Sequence, residues 1–281
     1  MSEPYVPPIS HLLELGNAWN THHDYGPEYG ITVDDIPELR RLLFDETLYG
    51  IGEHEDEDDN HGWGYIHAML ALGQLKTLEA LKILIEATII LTDHDGVWDS
   101  IPEAMGNMGP AGLSLLAEAF RQHRQDFLKS APFLGAIGEI GKQYPEAEVQ
   151  SIQTLTELLS EHAENSAEMN GSIIAELMDL HAVEAAPIME RAFKAGHVDA
   201  MMAGDWEQIQ VELGLKLPTV DHDEVAFFQR YLDKFAPPPE VNEPTPKDRT
   251  LARAPKQDAD KARKKKQKLE KQARKKNRKK K

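Results

Sequence analysis

The chain has 281 residues, a formal net charge of −17, 41% hydrophobic residues, 7% aromatic residues and no cysteine. The absence of cysteine excludes disulfides, thiolate nucleophiles and zinc–cysteine sites. No apolar stretch reaches the roughly 18 residues that a membrane span needs, and the first ten residues do not resemble a signal peptide, so we expect a cytoplasmic protein with no membrane span.

The charge is distributed unequally along the chain. Residues 247–281 contain 18 of the 31 Lys and Arg residues but only 4 of the 48 Asp and Glu residues, a net charge of +14. Residues 1–246 therefore carry a net charge of −31. Because a body of this charge repels phosphate backbones, any attraction to nucleic acid is expected from the basic tail alone.

Residues 1–60 are predicted to form an N-terminal helical cap followed by an acidic loop. Ser10 is suited to cap a first helix over 10–20. A second helix is expected to begin at Asp34 or Asp35, because an apolar stripe with helical spacing follows. That stripe consists of Ile36, Leu39, Leu42 and Leu43.

Residues 61–236 are predicted to contain repeated helical hairpins and a C-terminal helical cap. Gly73 and Gly106 are 33 residues apart, and Gly106 and Gly138 are 32 residues apart, a period typical of helical repeats. We expect the small residue late in each first helix to let the second helix of the same hairpin pack closely. The similar segments are 71–84, 104–120, 136–159 and, more weakly, 176–193.

Two prolines are used to predict where first helices begin. Pro102 and Pro132 each lie two residues after a serine. Proline is tolerated in the first turn of a helix, and serine is a good N-cap residue. Ser100 and Ser130 are therefore the expected N-caps.

The C-terminal segments have a different composition. Residues 237–246 form a proline-rich linker, and residues 247–281 form a basic tail that we expect to be disordered. The tail has no aromatic residue between its basic residues, which favours nonspecific phosphate attraction over base stacking. Folding back onto the acidic body and a purely solubilising role remain open. The residues assigned to polyanion binding are Lys264, Lys265, Lys266, Arg274, Lys275, Lys276 and Arg278.

Three segments resemble HEAT-like repeats of the bacterial phycobiliprotein-lyase type: ALGQL at 71–75, AMGNMG at 104–109 and AIGEIG at 136–141. The resemblance covers roughly residues 60–195. It implies an all-α fold, a HEAT-like α-solenoid of stacked helical hairpins. Proteins of this broad group often act as protein-binding scaffolds, so the resemblance specifies the fold better than the function.

No catalytic arrangement is evident. The HEAT-like deoxyhypusine hydroxylases bind iron through His-Glu pairs ahead of the repeat glycines, whereas only His67 stands at such a position here. The loop 53–61 offers carboxylate and imidazole ligands for a divalent cation but lacks EF-hand order. The His-Asp clusters at 22–24 and 93–95 leave a polar pocket open. We assign no catalytic residue, no cofactor and no metal, and we favour a protein that is not an enzyme.

Two tryptophans suggest a surface for a partner. Trp63 and Trp98 are 35 residues apart and precede equivalent helices of consecutive repeats. Stacked repeats would bring them to one edge, where they either anchor a partner or pack beneath the loops. The residues assigned to partner binding are Trp63, Tyr65, His67 and Trp98.

The function expected from these features is a protein-binding scaffold or adaptor whose basic tail reaches anionic surfaces. One alternative is a lyase-like accessory protein or chaperone that holds a chromophore or a client protein. Another is association with RNA or the ribosome through the tail. The partner's identity and the oligomeric state do not follow from the sequence.

Overall fold

The computed structural model describes residues 4–18, 22–49, 60–92 and 94–217. Residues 53–59 of the acidic loop and everything predicted beyond residue 217, including the linker and the basic tail, lie outside this part. Within it the chain forms helices and no strand, which confirms the all-α prediction for these residues. The α-helices are α1 (Tyr25–Tyr29), α2 (Ile36–Leu43), α3 (Gly64–Gln74), α4 (Leu78–Ile90), α5 (Asp95–Gly106), α6 (Leu113–His123), α7 (Phe127–Gln143), α8 (Glu148–Ser160), α9 (Ala167–Asp179), α10 (Ala186–Lys194), α11 (Ala200–Ala203) and α12 (Trp206–Glu212).

The first two predicted helices differ in outcome. Helix α2 begins where expected, with Asp35 as its N-cap and its apolar stripe fully buried. The helix predicted over 10–20 is wrong in extent, because the described residues up to 18 form only a 3₁₀ helix from Ile9 to Leu13. Gly16 follows with a φ of +73°, in the left-handed region that favours glycine, so helical geometry does not continue past it.

The predicted starts of two first helices are also wrong. Pro102 and Pro132 lie inside α5 and α7, which begin several residues earlier. Asp126 caps α7 by accepting a hydrogen bond from the backbone N–H of Lys129. Ser130 is not a cap: its side chain is buried and donates to the Asp126 carbonyl oxygen at 2.7 Å. Proline removes one backbone hydrogen bond and crowds the carbonyl of residue i−4, but this local cost does not prevent a helix from starting at a cap further upstream.

The helices α3, α5, α7 and α9 pack side by side in that order. Helices α3 and α5 run parallel, because contacts join both their starts and their ends. The rings of Tyr65 and His94 at the starts are 6.4 Å apart, and Gly73 near the end of α3 contacts Ala104 near the end of α5. Equivalent contacts at both ends make α5 and α7 parallel, and likewise α7 and α9. We call each contact between two consecutive members of this set a joint.

The repeat glycines lie in these joints. A methyl group on Gly73 would overlap the carbonyl oxygen of Ala104 and approach its Cα to 2.8 Å, while one on Gly106 would lie 2.7 Å from Cβ of Glu139. The expectation that these glycines allow close packing is therefore confirmed, but the expected partner was wrong. Each glycine admits the first helix of the next hairpin, because its face of the helix points across the joint and not toward its own second helix.

Helices α4, α6 and α8 cover this set. Helix α4 packs against α3 and α5, α6 and α8 pack against α7, and α8 also packs against α9. The core between them is apolar and mainly aliphatic, with Leu72, Leu84, Ile137 and Leu155 almost completely buried beside the aromatic Phe120. In the described residues no helix has both the length and the apolar character that crossing a bilayer requires.

Candidate functional site

The four residues predicted to bind a partner lie at the starts of α3 and α5. Trp63 is the residue just before α3, Tyr65 and His67 follow within the helix, and Trp98 lies in the first turn of α5. Trp63 and Trp98 are partly exposed, whereas Tyr65 is 9% exposed and His67 is 0% exposed. The burial of His67 leaves it no surface for a partner, which corrects that assignment.

Aromatic rings gather where α3, α5 and α7 begin. The ring of Tyr49 is 5.0 Å from that of Tyr65 and 4.6 Å from that of His94, the N-cap residue of α5. One turn further along α5, Trp98 stacks on Phe127, the first residue of α7, with ring centroids 6.0 Å apart. We call these five residues the aromatic edge; it spans the starts of three parallel helices.

The outer part of the aromatic edge is accessible to solvent. Trp98 and Phe127 are partly exposed, and the neighbouring Leu128 is 47% exposed. The inner part is fixed: the Tyr49 hydroxyl donates to the Leu43 carbonyl oxygen at 2.6 Å, and burial raises the pKa of that phenol, so it remains neutral. The aromatic edge therefore combines rigid inner rings with an exposed apolar margin, the composition typical of an anchoring surface.

His67 belongs to a buried hydrogen-bond network. Its Nε2 is 2.8 Å from the Gly16 carbonyl oxygen, which only accepts, so Nε2 carries the proton. Its Nδ1 therefore accepts a hydrogen bond from the Tyr25 hydroxyl at 2.7 Å. Burial lowers the pKa of His67 to about 4, and the ring is neutral at physiological pH. The network ties α3 to the segment that precedes it and has a structural role.

The residues of the His-Asp cluster at 22–24 differ in their exposure to solvent. His22 and Asp24 are exposed, whereas His23 is packed between Tyr25 and Tyr29. Its Nδ1 is 2.9 Å from the Tyr29 hydroxyl. The Gln74 side chain accepts a hydrogen bond from the backbone N–H of Tyr25 and donates one to the carbonyl oxygen of His23. Among the described residues, Nε2 of His23 is buried without a hydrogen-bond partner.

A second titratable group, which is partly buried, was not anticipated from the sequence. Glu176 on α9 is 22% exposed, and its Oε2 lies directly against Gly138 of α7. That oxygen is buried and has no hydrogen-bond partner among the described residues. The Lys142 ammonium is 3.9 Å away and also faces Glu139 at 3.4 Å and Asp179 at 3.0 Å.

Burial dominates the titration of Glu176. Removal from water raises its pKa to about 7; Lys142 opposes this increase, and the carboxylates of Asp179 and Glu139 add to it. Lys142 is itself partly buried, which lowers its pKa, but the three carboxylates more than compensate and hold its pKa above the ordinary value. The α7–α9 joint thus holds a carboxyl group that changes charge near neutral pH.

No group of three or more His, Asp or Glu side chains in the described residues is arranged to hold a metal ion. Most of the acidic loop, and with it the cation site considered there, lies outside those residues. No family model matches the sequence, and no curated protein or solved structure is significantly similar to it.

Proposed function

We propose that this protein is a protein-binding scaffold whose hairpins stack as a HEAT-like α-solenoid and whose partner docks on the aromatic edge. The observation that carries the proposal is the alignment of aromatic rings at the starts of three parallel helices, with Trp98, Phe127 and Leu128 accessible at the margin. Partly buried aromatic side chains give large contact areas at a small entropic cost, and they dominate the binding energy of many interfaces.

The shape of the joints supports this proposal. Each repeat glycine lets two parallel helices approach closely, so the starts of successive helices lie at one edge of the body. A set of parallel helices repeated in this way offers an extended surface, which suits a protein partner better than a small molecule. The net charge of −31 in residues 1–246 adds a preference for a partner with basic side chains around the apolar contact.

The test compares variants of the aromatic edge with a matched variant elsewhere. Full-length protein, Trp98→Ala, Leu128→Ser and Val149→Ser would each be used as bait under crosslinking conditions. Val149 on α8 is 72% exposed and lies away from the aromatic edge. The proposal expects the same captured proteins to be lost with Trp98→Ala and Leu128→Ser and retained with Val149→Ser. Equal capture by all four would contradict it, provided circular dichroism shows that every variant folds.

A second function is favoured by the charge of the tail. The residues from Lys264 to Arg278 assigned to polyanion binding belong to a segment of net charge +14, joined by the linker to a body of opposite charge. We propose that the tail binds RNA or another polyanion without sequence preference, driven by counterion release. Full-length protein should then bind RNA and DNA with affinities that fall steeply between 50 and 200 mM salt, a range in which about 10³- to 10⁵-fold losses are typical of 6–10 phosphate contacts. A truncation ending at Pro246 should not bind; if it binds as well as the whole chain, the tail is not the site.

A further inference from the structure

The α7–α9 joint differs from the other joints in what fills the space opposite its glycine. At Gly73 and Gly106 the space is filled by backbone or methylene atoms of the next helix. At Gly138 it is filled by the end of the Glu176 side chain, and Oε1 of the same carboxyl faces Gly135. The carboxyl group therefore rests on the bare backbone of α7, where no side chain separates the two helices.

The contacts of this carboxyl suit its neutral form. Oε2 has no hydrogen-bond partner in the described residues, and Nζ of Lys142 at 3.9 Å is too distant to donate one. A buried carboxylate oxygen without a donor is strongly disfavoured, whereas the carbonyl oxygen of a protonated carboxyl is much less so. The joint as it stands is thus complementary to Glu176 carrying a proton.

The charges around the site act on the ionisation of Glu176 in both directions: Lys142 favours it, whereas Asp179 and Glu139 oppose it. Lys142 is the cation among the groups that act on Glu176, and it is already 3.0 Å from Asp179 and 3.4 Å from Glu139. Helix α9 also packs against α8 and α11, and neither contributes a charged group to those acting on Glu176. Ionisation of Glu176 would therefore place three carboxylates around one ammonium.

We propose that the α7–α9 joint is a proton-dependent device: protonated Glu176 seats against Gly138 and closes the joint, and loss of the proton to water drives the carboxylate out toward solvent and loosens α9 on α7. This inference is independent of the partner proposed for the aromatic edge. Its consequence is that α9 packs more loosely on α7 as the pH rises through neutrality.

The first measurement follows the side-chain carboxyl carbons of the full-length protein by NMR between pH 3 and pH 9. One carboxyl, absent from the spectrum of Glu176→Gln, should titrate with a midpoint near 7 in place of the ordinary 4.5. Its ionised fraction should then rise from about one tenth at pH 6 to about nine tenths at pH 8. A spectrum in which every carboxyl titrates below pH 5 would overturn the proposal without requiring any variant to fold.

The second measurement is backbone hydrogen exchange at pH 6 and pH 8, corrected for the intrinsic dependence of exchange on pH. Protection of α9 and of the facing part of α7 should fall between these values in the wild type and in Glu168→Gln, a matched variant at an exposed position of α9. It should stay constant in Glu176→Gln. If Glu176→Gln loses protection between pH 6 and pH 8 as the wild type does, the Glu176 carboxyl does not control the packing of α9 on α7.

Discussion

Two parts of the described body each bury a titratable side chain, and burial shifts the two in opposite directions on the pH scale. Near the amino-terminal end, the pKa of His67 falls from 6.5 to about 4. In the α7–α9 joint, the pKa of Glu176 rises from 4.5 to about 7. In both cases the charged form is disfavoured because it loses its hydration, and both groups are neutral between about pH 4 and pH 7.

The difference between the two lies in hydrogen bonding. Both ring nitrogens of His67 have partners that fit one neutral tautomer, so the ring is a fixed part of the packing. Oε2 of Glu176 has no such partner and is held only by the shape of the joint. A buried polar group that is fully hydrogen-bonded stabilises one structure, whereas one that is only enclosed can leave when its charge changes.

The pKa shifts of His67 and Glu176 determine how each residue's contribution to folding stability depends on pH. For His67 the unfolded chain binds more protons than the folded chain between pH 4 and 6.5, so its contribution is complete above 6.5 and decreases as the pH falls toward 4. For Glu176 the folded chain binds more protons between pH 4.5 and 7, so its contribution is complete below 4.5 and decreases as the pH rises toward 7. Because the trends oppose each other where they overlap, variants are needed to separate them.

The largest effect is expected from His67→Phe. The ring is replaced at similar volume, but the Tyr25 hydroxyl and the Gly16 carbonyl lose their partner in a buried region. Since each of these two groups costs about 1–3 kcal/mol when left unsatisfied, we expect a loss of about 2–6 kcal/mol in the free energy of unfolding, measured with urea at pH 7. The exposed His11, changed to Phe, provides the matched control and should stay near the wild-type value.

The same variant also isolates the acid response. Between pH 6.5 and 4 the wild type should lose up to about 3 kcal/mol through His67, and His67→Phe should lack this component. If the variant loses as much unfolding free energy as the wild type between pH 6.5 and 4, His67 is hydrated in solution. His67 would then not differ from Glu176 in the way described above.

Much of the helical fold could be predicted from the sequence, because local signals determine it. The stripe from Ile36 to Leu43 predicted helix α2, and the 32- and 33-residue spacing of the glycines marked positions where helices approach closely. The helix partner of each glycine could not be predicted, since a small residue marks a close approach without saying which element approaches. The helix starts predicted from the prolines were wrong because a proline marks an allowed start and not a required one. In α7 the cap is Asp126, so the helix begins before Pro132.

The sequence pattern indicates burial for one of these two titratable groups and not for the other. His67 lies in the run from Gly64 to Gly73, where apolar residues occupy every side of the helix. A helix with this pattern is expected to be buried on all of its faces. Glu176 offers no such signal, because it shares α9 with Glu168 and Asp179, which are exposed. Its burial depends on Gly135 and Gly138, about forty residues earlier in the chain.

A smaller effect is expected from Gly73→Ala, which tests a joint that lacks an ionisable group. The added methyl group meets the Ala104 backbone, which can move only if α5 shifts as a whole. Overpacking of this kind costs roughly 1–3 kcal/mol, and we expect the melting temperature to fall accordingly. Gly26→Ala in α1 is the control, because its methyl group would lie 3.6 Å from the Ile31 carbonyl oxygen, an ordinary contact.

The smallest effect on stability is expected from Gly138→Ala, at the equivalent position of the α7–α9 joint. Here the methyl group overlaps the end of a flexible side chain, and the nearest carbon of Glu176 other than the carboxyl carbon is 3.7 Å away. The carboxyl can rotate into solvent, and alanine favours the helix by roughly 0.5–1 kcal/mol over glycine, so the net change in unfolding free energy should stay within about 1 kcal/mol. The distinguishing result is the titration: once hydrated, Glu176 should return toward a pKa of 4.5, and the loss of stability between pH 4.5 and 7 should disappear. A destabilisation as large as that of Gly73→Ala, with the raised pKa retained, would show that Glu176 is as fixed in its joint as His67 is in its network.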